Sequence, residues 1–139
     1  MTTHTQIKVL IVDDSALSRQ AAQLALEDAG FAVVTSDNPI ATASLIIREA
    51  PDLLLLDYNM ASIDGGKVAR ALRNSPACRD LPIILYSSSP AESLSEVLGS
   101  GTVDGFIPKA ADAADLPVQL NYWLKSLANR NASQSAGAL

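Results

Sequence analysis

The feature that most constrains this chain is a series of short apolar runs, each leading into polar residues. In chain order, the runs end in an acid pair, a lone acid, a hydroxyl and a lysine. These residues are Asp13 and Asp14 after 7–12, Asp57 after 53–56, Ser87 after 83–86 and Lys109 after 103–107. Strand-like runs of this kind alternate with helical patterns from end to end, which is typical of βα units around a parallel sheet.

Five βα units can be counted, with strands predicted near 7–13, 31–36, 52–57, 82–87 and 103–107. The runs at 53–56 and 83–85 are continuously apolar, as expected for strands with helices on both faces of the sheet. The pattern predicts a doubly wound α/β domain, a (βα)5 parallel sheet of flavodoxin-like order 2-1-3-4-5.

Five helices are predicted at about 15–29, 39–50, 66–75, 91–99 and 115–128. In the first helix, Leu17, Ala21 and Leu24 have the spacing of one apolar face, and Gly30 provides a stop. The second helix begins with Asn38 as N-cap and Pro39 in the first helical position.

The fourth and fifth helices differ in apolar content. Ser89, Pro90 and Glu92 have the pattern of a capping box, but the body of the fourth helix contains few apolar residues. We expect it to be the most mobile helix, although the pattern fits a short surface helix equally well. The fifth helix has an apolar face formed by Leu116, Leu120, Trp123, Leu124 and Leu127. The polar segment 129–139 is expected to be a flexible tail or the start of a linker.

Composition narrows the class of protein. A chain of 139 residues is the size of one domain, and no apolar run is long enough to span a bilayer or serve as a signal core, so we expect a cytoplasmic protein without membrane contact. The single cysteine, Cys78, excludes an internal disulfide and a thiolate zinc site. The net charge of -5 argues against nucleic acid as a direct partner.

The predicted topology brings the polar residues to one edge of the sheet. In a sheet of order 2-1-3-4-5, the crevice lies at the carboxyl ends of strands 1 and 3, where Asp13, Asp14 and Asp57 are predicted. Right-handed crossovers place Ser87 and Lys109 beside the same crevice. Three carboxylates in one pocket repel one another unless a cation lies between them, and Mg²⁺ is the ion that best fits this oxygen-rich set.

These residue types are suited to phosphoryl transfer. A carboxylate such as Asp57 can attack a phosphoryl group, while the Lys109 ammonium and the Ser87 hydroxyl would bind phosphoryl oxygens. Taken singly, Asp14 or Ser15 could simply cap the first helix. A P-loop ATPase is excluded because the chain has no G-x-x-x-x-G-K-[ST] motif.

The ordered set of acid pair, lone acid, hydroxyl and lysine resembles the receiver domain of two-component response regulators, over about residues 5–128. The resemblance assigns Asp13 and Asp14 to Mg²⁺, Asp57 to phosphoacceptance and metal binding, and the main-chain carbonyl of Asn59 to the metal. It assigns Ser87 and Lys109 to the phosphoryl group, and Phe106 to the aromatic position whose rotamer is coupled to the strand 4 hydroxyl.

The chain departs from the family pattern at two dipeptides. Receivers commonly have Met-Pro where this chain has Met60-Ala61, which we expect to loosen the loop before the third helix. They have Lys-Pro where this chain has Lys109-Ala110, for which we expect a trans peptide bond and a Lys109 ammonium near Asp57 without a fixed close partner.

The resemblance implies a regulator that is not an enzyme in the ordinary sense. Asp57 would accept a phosphoryl group from a histidine kinase or phosphotransfer protein, and a downstream protein would bind the face formed by helix 4, strand 5 and helix 5. Two alternatives stay open at this point. One is a receiver-like module that works without phosphorylation, and the other is a small phosphohydrolase, although strand 1 lacks the D-x-D of haloacid-dehalogenase-type phosphatases.

Overall fold

The computed structural model describes residues 6–109 and 113–137, with side chains described to residue 130. The strands are β1 (Lys8–Val12), β2 (Ala32–Ser36), β3 (Leu53–Asp57), β4 (Ile83–Ser87) and β5 (Gly105–Pro108). The α-helices are α1 (Ala16–Asp28), α2 (Thr42–Glu49), α3 (Gly65–Arg73), α4 (Ser95–Gly99) and α5 (Leu116–Gly137). Short 3-10 turns, Pro39–Ala41 and Ala91–Leu94, precede α2 and α4.

Within the described residues, the strands form one parallel sheet of order β2-β1-β3-β4-β5, which confirms the predicted fold. Alternate side chains of each central strand enter different cores. Leu54 and Leu56 of β3 pack into the core beneath α2 and α3, whereas Leu53 and Leu55 pack into the core beneath α1 and α5. Both cores exclude water almost completely, which is why β3 is apolar over 53–56, up to the aspartate at its end.

Local signals fixed most of the element ends. The Asn38 side chain accepts a hydrogen bond from the main-chain N–H of Ile40, as an N-cap does, and Asp64 caps α3 through the N–H of Lys67. The first helix ends before Gly30, whose φ of 97° is a left-handed conformation that glycine adopts without strain. Ala50, which follows α2, also has a positive φ of 48°.

The predicted apolar face of α1 is wrong. Leu17 and Leu24 are 79% and 68% exposed, while Ala22 and Leu26 are buried against the sheet. The rotation of the helix about its axis is set at its first turn, where Ser18 and Arg19 form hydrogen bonds to Asp13. Residues one and two turns after Ser18 therefore lie over the sheet, and spacing alone could not distinguish this face from its neighbour.

Two further expectations need correction. The capping box at Ser89 does not form, because the Ser89 hydroxyl accepts a hydrogen bond from the Asn59 side chain and Pro90 occupies the N-cap position without a side-chain bond. Helix α5 continues to Gly137, well past the predicted end at 128, since Ala, Asn, Gln and Ser extend intrahelical hydrogen bonding where no Pro or Gly intervenes. The Lys109-Ala110 peptide lies outside the described residues.

Candidate functional site

The carboxyl ends of β1 and β3 bring three acidic side chains together, as the sequence predicted. Carboxylate oxygens of Asp13, Asp14 and Asp57 lie within 4.8 Å of one another. Asp13 and Asp57 are buried, whereas Asp14 is exposed at the rim. The pocket therefore has two buried carboxylates and one that faces solvent. Its ligand atoms are all oxygens, which could hold a hard divalent cation.

Lys109 follows β5 and reaches across the crevice to the buried acids. Its Nζ lies 2.9 Å from Oδ2 of Asp13 and 3.4 Å from Oδ1 of Asp57. The ammonium also lies 5.3 Å from the centroid of the Tyr86 ring, a cation–π distance. Lys109 lies near Asp57 as expected, but the expectation that it has no fixed close partner is wrong, because it pairs closely with Asp13.

Asp13 is the most heavily hydrogen-bonded acid of the group. Its Oδ1 accepts from the N–H of Ser15 at 2.9 Å, and its Oδ2 accepts from the Ser18 hydroxyl at 2.7 Å as well as from Lys109. Burial alone would raise the pKa of Asp13, but the hydrogen bonds from Ser18, Lys109 and Ser15 outweigh it and lower the pKa below its ordinary value. Asp13 is therefore held as a carboxylate.

Asp57 has the opposite electrostatic environment. Burial and the negative charge of Asp13 raise its pKa to about 6, although Lys109 partly offsets both effects. Its Oδ1 accepts one long hydrogen bond, 3.3 Å, from the N–H of Asn59. Asp57 is thus a buried acid with few hydrogen-bond donors and a like charge nearby. A divalent cation would stabilise its carboxylate, so the pocket is suited to a metal ion.

Asp14 is held from the loop that follows β3. Its Oδ2 accepts a hydrogen bond of 2.8 Å from the main-chain N–H of Ala61. A proline at position 61, as receivers commonly have, could not donate this bond because it has no N–H. The expectation that Met60-Ala61 loosens this loop stays a prediction, but Ala61 provides a hydrogen bond to the acid that proline could not provide.

Ser87 ends β4 and is fully buried. Its hydroxyl oxygen accepts hydrogen bonds from the N–H of Ser89 at 3.0 Å and from Nδ2 of Asn59 at 3.3 Å. The same Asn59 amide donates to the Ser89 hydroxyl at 2.6 Å. The Asn59 side chain thus joins the loops after β3 and β4, a role that the sequence did not predict.

Phe106 lies on β5, half-buried and packed against the core beneath α2 and α3. It lines a cleft of about 320 Å³ together with Leu98, Val103, Asp104, Gly105 and Trp123.

The sequence did not predict three residues that contact the site. Ser18 and Arg19 donate hydrogen bonds to Asp13, and the Tyr86 ring lies beside the Lys109 ammonium. Only Tyr86, which precedes Ser87 on β4, carried a usable signal, namely its position at a strand end.

A flavodoxin-like sheet with an acidic crevice and a lysine at its carboxyl edge defines a receiver-type α/β protein. The chain belongs to the response regulator receiver domain family, whose model matches residues 9–121. It thus has a receiver domain of the kind found in two-component systems. No helix within the described residues has the length and apolar character required to cross a bilayer.

Comparisons with individual proteins agree with this assignment. The chain is 31% identical over 137 residues to the transcriptional regulatory protein CseB of Streptomyces coelicolor, covering 96% of this chain and 57% of CseB. It is 33% identical over 117 residues to an uncharacterized 14.6 kDa protein of Leptolyngbya boryana, covering 84% of this chain and 88% of that protein. The chain spans about half the length of the transcriptional regulators that it matches.

The fold is shared with the chemotaxis response regulator CheY4 of Vibrio cholerae, with a TM-score of 0.77 over 86% of this chain and 99% of CheY4. The sequence identity is 24%, so this likeness concerns the fold alone. A 38% identical segment occurs in a protein-glutamate methylesterase of Bradyrhizobium diazoefficiens, where the match covers 29% of that protein.

Proposed function

We propose that this receiver accepts a phosphoryl group on Asp57 from a histidine kinase or phosphotransfer protein, with Mg²⁺ in the acidic pocket. The observation that carries the proposal is the clustering of three carboxylates within 4.8 Å, with the Lys109 ammonium 3.4 Å from Asp57. Asp13, Asp14, Asp57 and the main-chain carbonyl of Asn59 would hold the metal. When bound, the ion would neutralise charge on the phosphoryl oxygens.

The residues of the chain divide the remaining work. An oxygen of Asp57 attacks phosphorus, the bond from phosphorus to the donor imidazole nitrogen breaks, and the electron pair leaves with the imidazole. The raised pKa of Asp57, about 6, still leaves it mostly ionised at neutral pH, so the nucleophile is available. Lys109 would exchange its contact with Asp13 for a phosphoryl oxygen, and the Ser87 hydroxyl would donate to another.

A phosphohydrolase of the D-x-D type would need a second catalytic acid two residues after Asp13, and this chain has no acid there. Ser15 stands two residues after Asp13, where a D-x-D motif has its second acid. Its N–H binds Asp13 and its hydroxyl caps α1, so this position supplies no acid. A transient signalling phosphoryl group is therefore the better use of the pocket than turnover of a phosphomonoester.

The signal would leave through α4, β5 and α5, to which a downstream protein would bind. Three features support this face: Ser87 lies at the start of the loop into α4, Phe106 lies on β5, and both Phe106 and Trp123 line one cleft. The helical turn that leads into α4 is 3-10 rather than α, and such short segments are easily repacked. A kinase donor that uses ATP implies that the protein works in the cytoplasm.

The decisive experiment is incubation with acetyl phosphate and Mg²⁺ followed by intact mass measurement. We expect one added phosphoryl group in the wild-type protein and none in Asp57→Asn, whose amide is nearly isosteric but a poor nucleophile. Equal labelling of the variant would show that another residue is the acceptor. Absence of labelling in both proteins, with a purified kinase domain as well, would favour a receiver that works without phosphorylation.

A further inference from the structure

The first turn of α1 holds Asp13 at three places. The N–H of Ser15 binds Oδ1, the Ser18 hydroxyl binds Oδ2, and Nη1 of Arg19 binds the main-chain carbonyl oxygen at 2.8 Å. Ser18 is half-buried, and its bond of 2.7 Å is the shortest that the Asp13 carboxylate accepts. No other element contributes a hydroxyl to this carboxylate among the described residues.

These hydrogen bonds leave one acceptor site of the Asp13 carboxylate free. A carboxylate offers about four acceptor sites, and Asp13 uses three of them, for Ser15, Ser18 and Lys109. One site remains for a cation, and the Asp13 carboxylate is within 4.8 Å of oxygens of Asp14 and Asp57. The plane of the carboxylate decides whether that remaining site faces the pocket.

Lys109 alone cannot fix this plane during the reaction. In the unphosphorylated protein, Oδ2 is held from both Ser18 and Lys109. If Lys109 turns to a phosphoryl oxygen, as the proposed function requires, Ser18 becomes the remaining side-chain partner of Oδ2. Hydrogen bonds from outside a metal site to its carboxylates orient those ligands and commonly affect affinity by an order of magnitude or more.

We propose that Ser18 is a positioning residue for Mg²⁺, which fixes the Asp13 carboxylate in the orientation that binds the ion. The inference rests on the proposed function, since it assumes that the ion occupies the acidic pocket. Ser18 itself touches neither the metal nor the phosphoryl group. Its effect is on the concentration of Mg²⁺ at which the receiver becomes competent.

Three variants of the full chain separate this role from a general contribution to the helix. Ser18→Ala removes the hydroxyl, and Ser18→Thr keeps a hydroxyl on Cβ. Ser15→Ala is the matched control, because it removes the Oγ that accepts the N-cap hydrogen bond from the N–H of Ser18 but leaves the main-chain N–H of residue 15 that donates to Asp13. If this turn only stabilised the helix, Ser15→Ala would weaken Mg²⁺ binding as much as Ser18→Ala does.

The measurement is Mg²⁺ titration by calorimetry, followed by the Mg²⁺ dependence of labelling by acetyl phosphate. For Ser18→Ala we expect the dissociation constant for Mg²⁺ and the half-saturating Mg²⁺ concentration to rise about 10-fold, with nearly the wild-type labelling rate at saturating Mg²⁺. Ser18→Thr is expected to restore near wild-type affinity. Ser15→Ala is expected to melt at a lower temperature with unchanged affinity.

The outcomes distinguish the inference from the proposed function. If wild-type protein binds Mg²⁺ and is labelled on Asp57, but Ser18→Ala binds the ion equally well, the positioning role is refuted and the proposed function stands. If Ser15→Ala loses affinity to the same extent as Ser18→Ala, the role is refuted in favour of helix stability. If the wild-type protein binds no Mg²⁺, both the proposed function and this inference fail.

Discussion

The ammonium of Lys109 is closer to Asp13, at 2.9 Å, than to the proposed phosphoacceptor Asp57, at 3.4 Å. Both acids are almost completely buried and lie side by side at the ends of adjacent strands. The lysine is thus shared, and it is the only side-chain cation paired with either acid among the described residues. Its charge should matter for stability as well as for phosphoryl transfer.

Replacement of Lys109 by methionine keeps most of the apolar stem but removes this charge. In metal-free protein at neutral pH we expect the free energy of unfolding to fall by about 2 kcal/mol, because two buried carboxylates lose their cation. Added Mg²⁺ should recover part of the loss. Urea unfolding with EDTA or Mg²⁺ measures both effects, and Lys125→Met on the exposed side of α5 is the control. Equal stability of Lys109→Met and wild type in EDTA would contradict the shared pairing.

The raised pKa of Asp57 predicts a pH-dependent cost in metal-free protein. Its folded-state pKa of about 6 exceeds the ordinary value of 3.8, so the unfolded chain ionises first and wild-type stability falls as pH rises between these values. Asp57→Asn cannot ionise and should lack this fall. Each pKa unit corresponds to about 1.4 kcal/mol, and after a discount for water in the open crevice we expect the variant to be about 2 kcal/mol more stable at pH 7.5.

The comparison is made by urea unfolding of both proteins in EDTA from pH 4 to 8. The stability difference should open between pH 4 and 6 and stay constant above that. Saturating Mg²⁺ should shrink it, because the cation offsets the repulsion in wild type. A difference that is the same at pH 4 and pH 8 would show that Asp57 titrates normally.

Asp14 is the exposed member of the acidic group, and its carboxylate is held by the N–H of Ala61. Asp14→Asn keeps the shape of the side chain but removes a negative charge from the pocket. We expect Mg²⁺ affinity to fall about 10-fold or more, since Mg²⁺ binds carboxylates in preference to amides. Asp37→Asn, at an exposed position outside the pocket, is the control for net charge. Equal losses in both variants would indicate a general electrostatic effect.

The sequence predicted the sheet because its strands carry strong, continuous signals. Asp57, Ser87 and Lys109 each follow such a strand, so a correct strand order was sufficient to bring them together. The rotation of α1 was not predictable in this way, since Leu17 and Leu24, seven residues apart, and Ala22 and Leu26, four residues apart, each have a spacing that fits one face of a helix. Hydrogen bonds from Ser18 and Arg19 to Asp13, which the spacing of apolar residues does not reveal, favour the face with Ala22 and Leu26.

The parts of the site that the sequence missed depend on side chains from loops and from neighbouring strands. The Asn59 amide bonds to Ser87 and Ser89, although these residues are far from it in sequence. Ser89 and Glu92 have the local pattern of a capping box, but the Ser89 hydroxyl instead accepts the tertiary hydrogen bond from Asn59. The hydrogen bond from Ala61 to Asp14 required knowledge of how close the loop after β3 lies to β1.

Gly65 lies where the start of α3 touches the end of β3. A Cβ at this position would lie 2.6 Å from the carbonyl oxygen of Asp57 and 2.9 Å from Cα of Tyr58, which are both main-chain atoms. Gly65→Ala should therefore cost about 2 kcal/mol by forcing α3 away from β3. In Gly99→Ala the new Cβ meets no atom within 4 Å, and the helix should be stabilised by up to about 1 kcal/mol. Urea unfolding of the pair tests this, and equal effects would contradict the close approach at Gly65.

The cleft shared by Phe106 and Trp123 predicts an optical signal of activation. Trp123 is the only tryptophan in the chain, and its ring lies against β5, where a Cβ on Gly105 would approach it to 2.7 Å. A change of Phe106 toward Ser87 would alter the packing and solvent contact of this ring. We therefore expect beryllofluoride with Mg²⁺ to change Trp123 emission in wild type and not in Asp57→Asn.

Hydrogen exchange locates the response along the chain. We expect the adduct to change protection of residues 88–107, which include the 3-10 turn, α4 and most of β5. Phe106→Leu should bind beryllofluoride with a much smaller change in Trp123 emission. Leucine has no aromatic ring, so its movement would disturb the packing around Trp123 in the cleft less than movement of Phe106 does. An adduct that forms fully, as judged by mass or fluorine NMR, while emission and exchange of 88–107 stay unchanged would show that the pocket is not coupled to this face. Protection limited to the loops around Asp57 would likewise show that the coupling is absent.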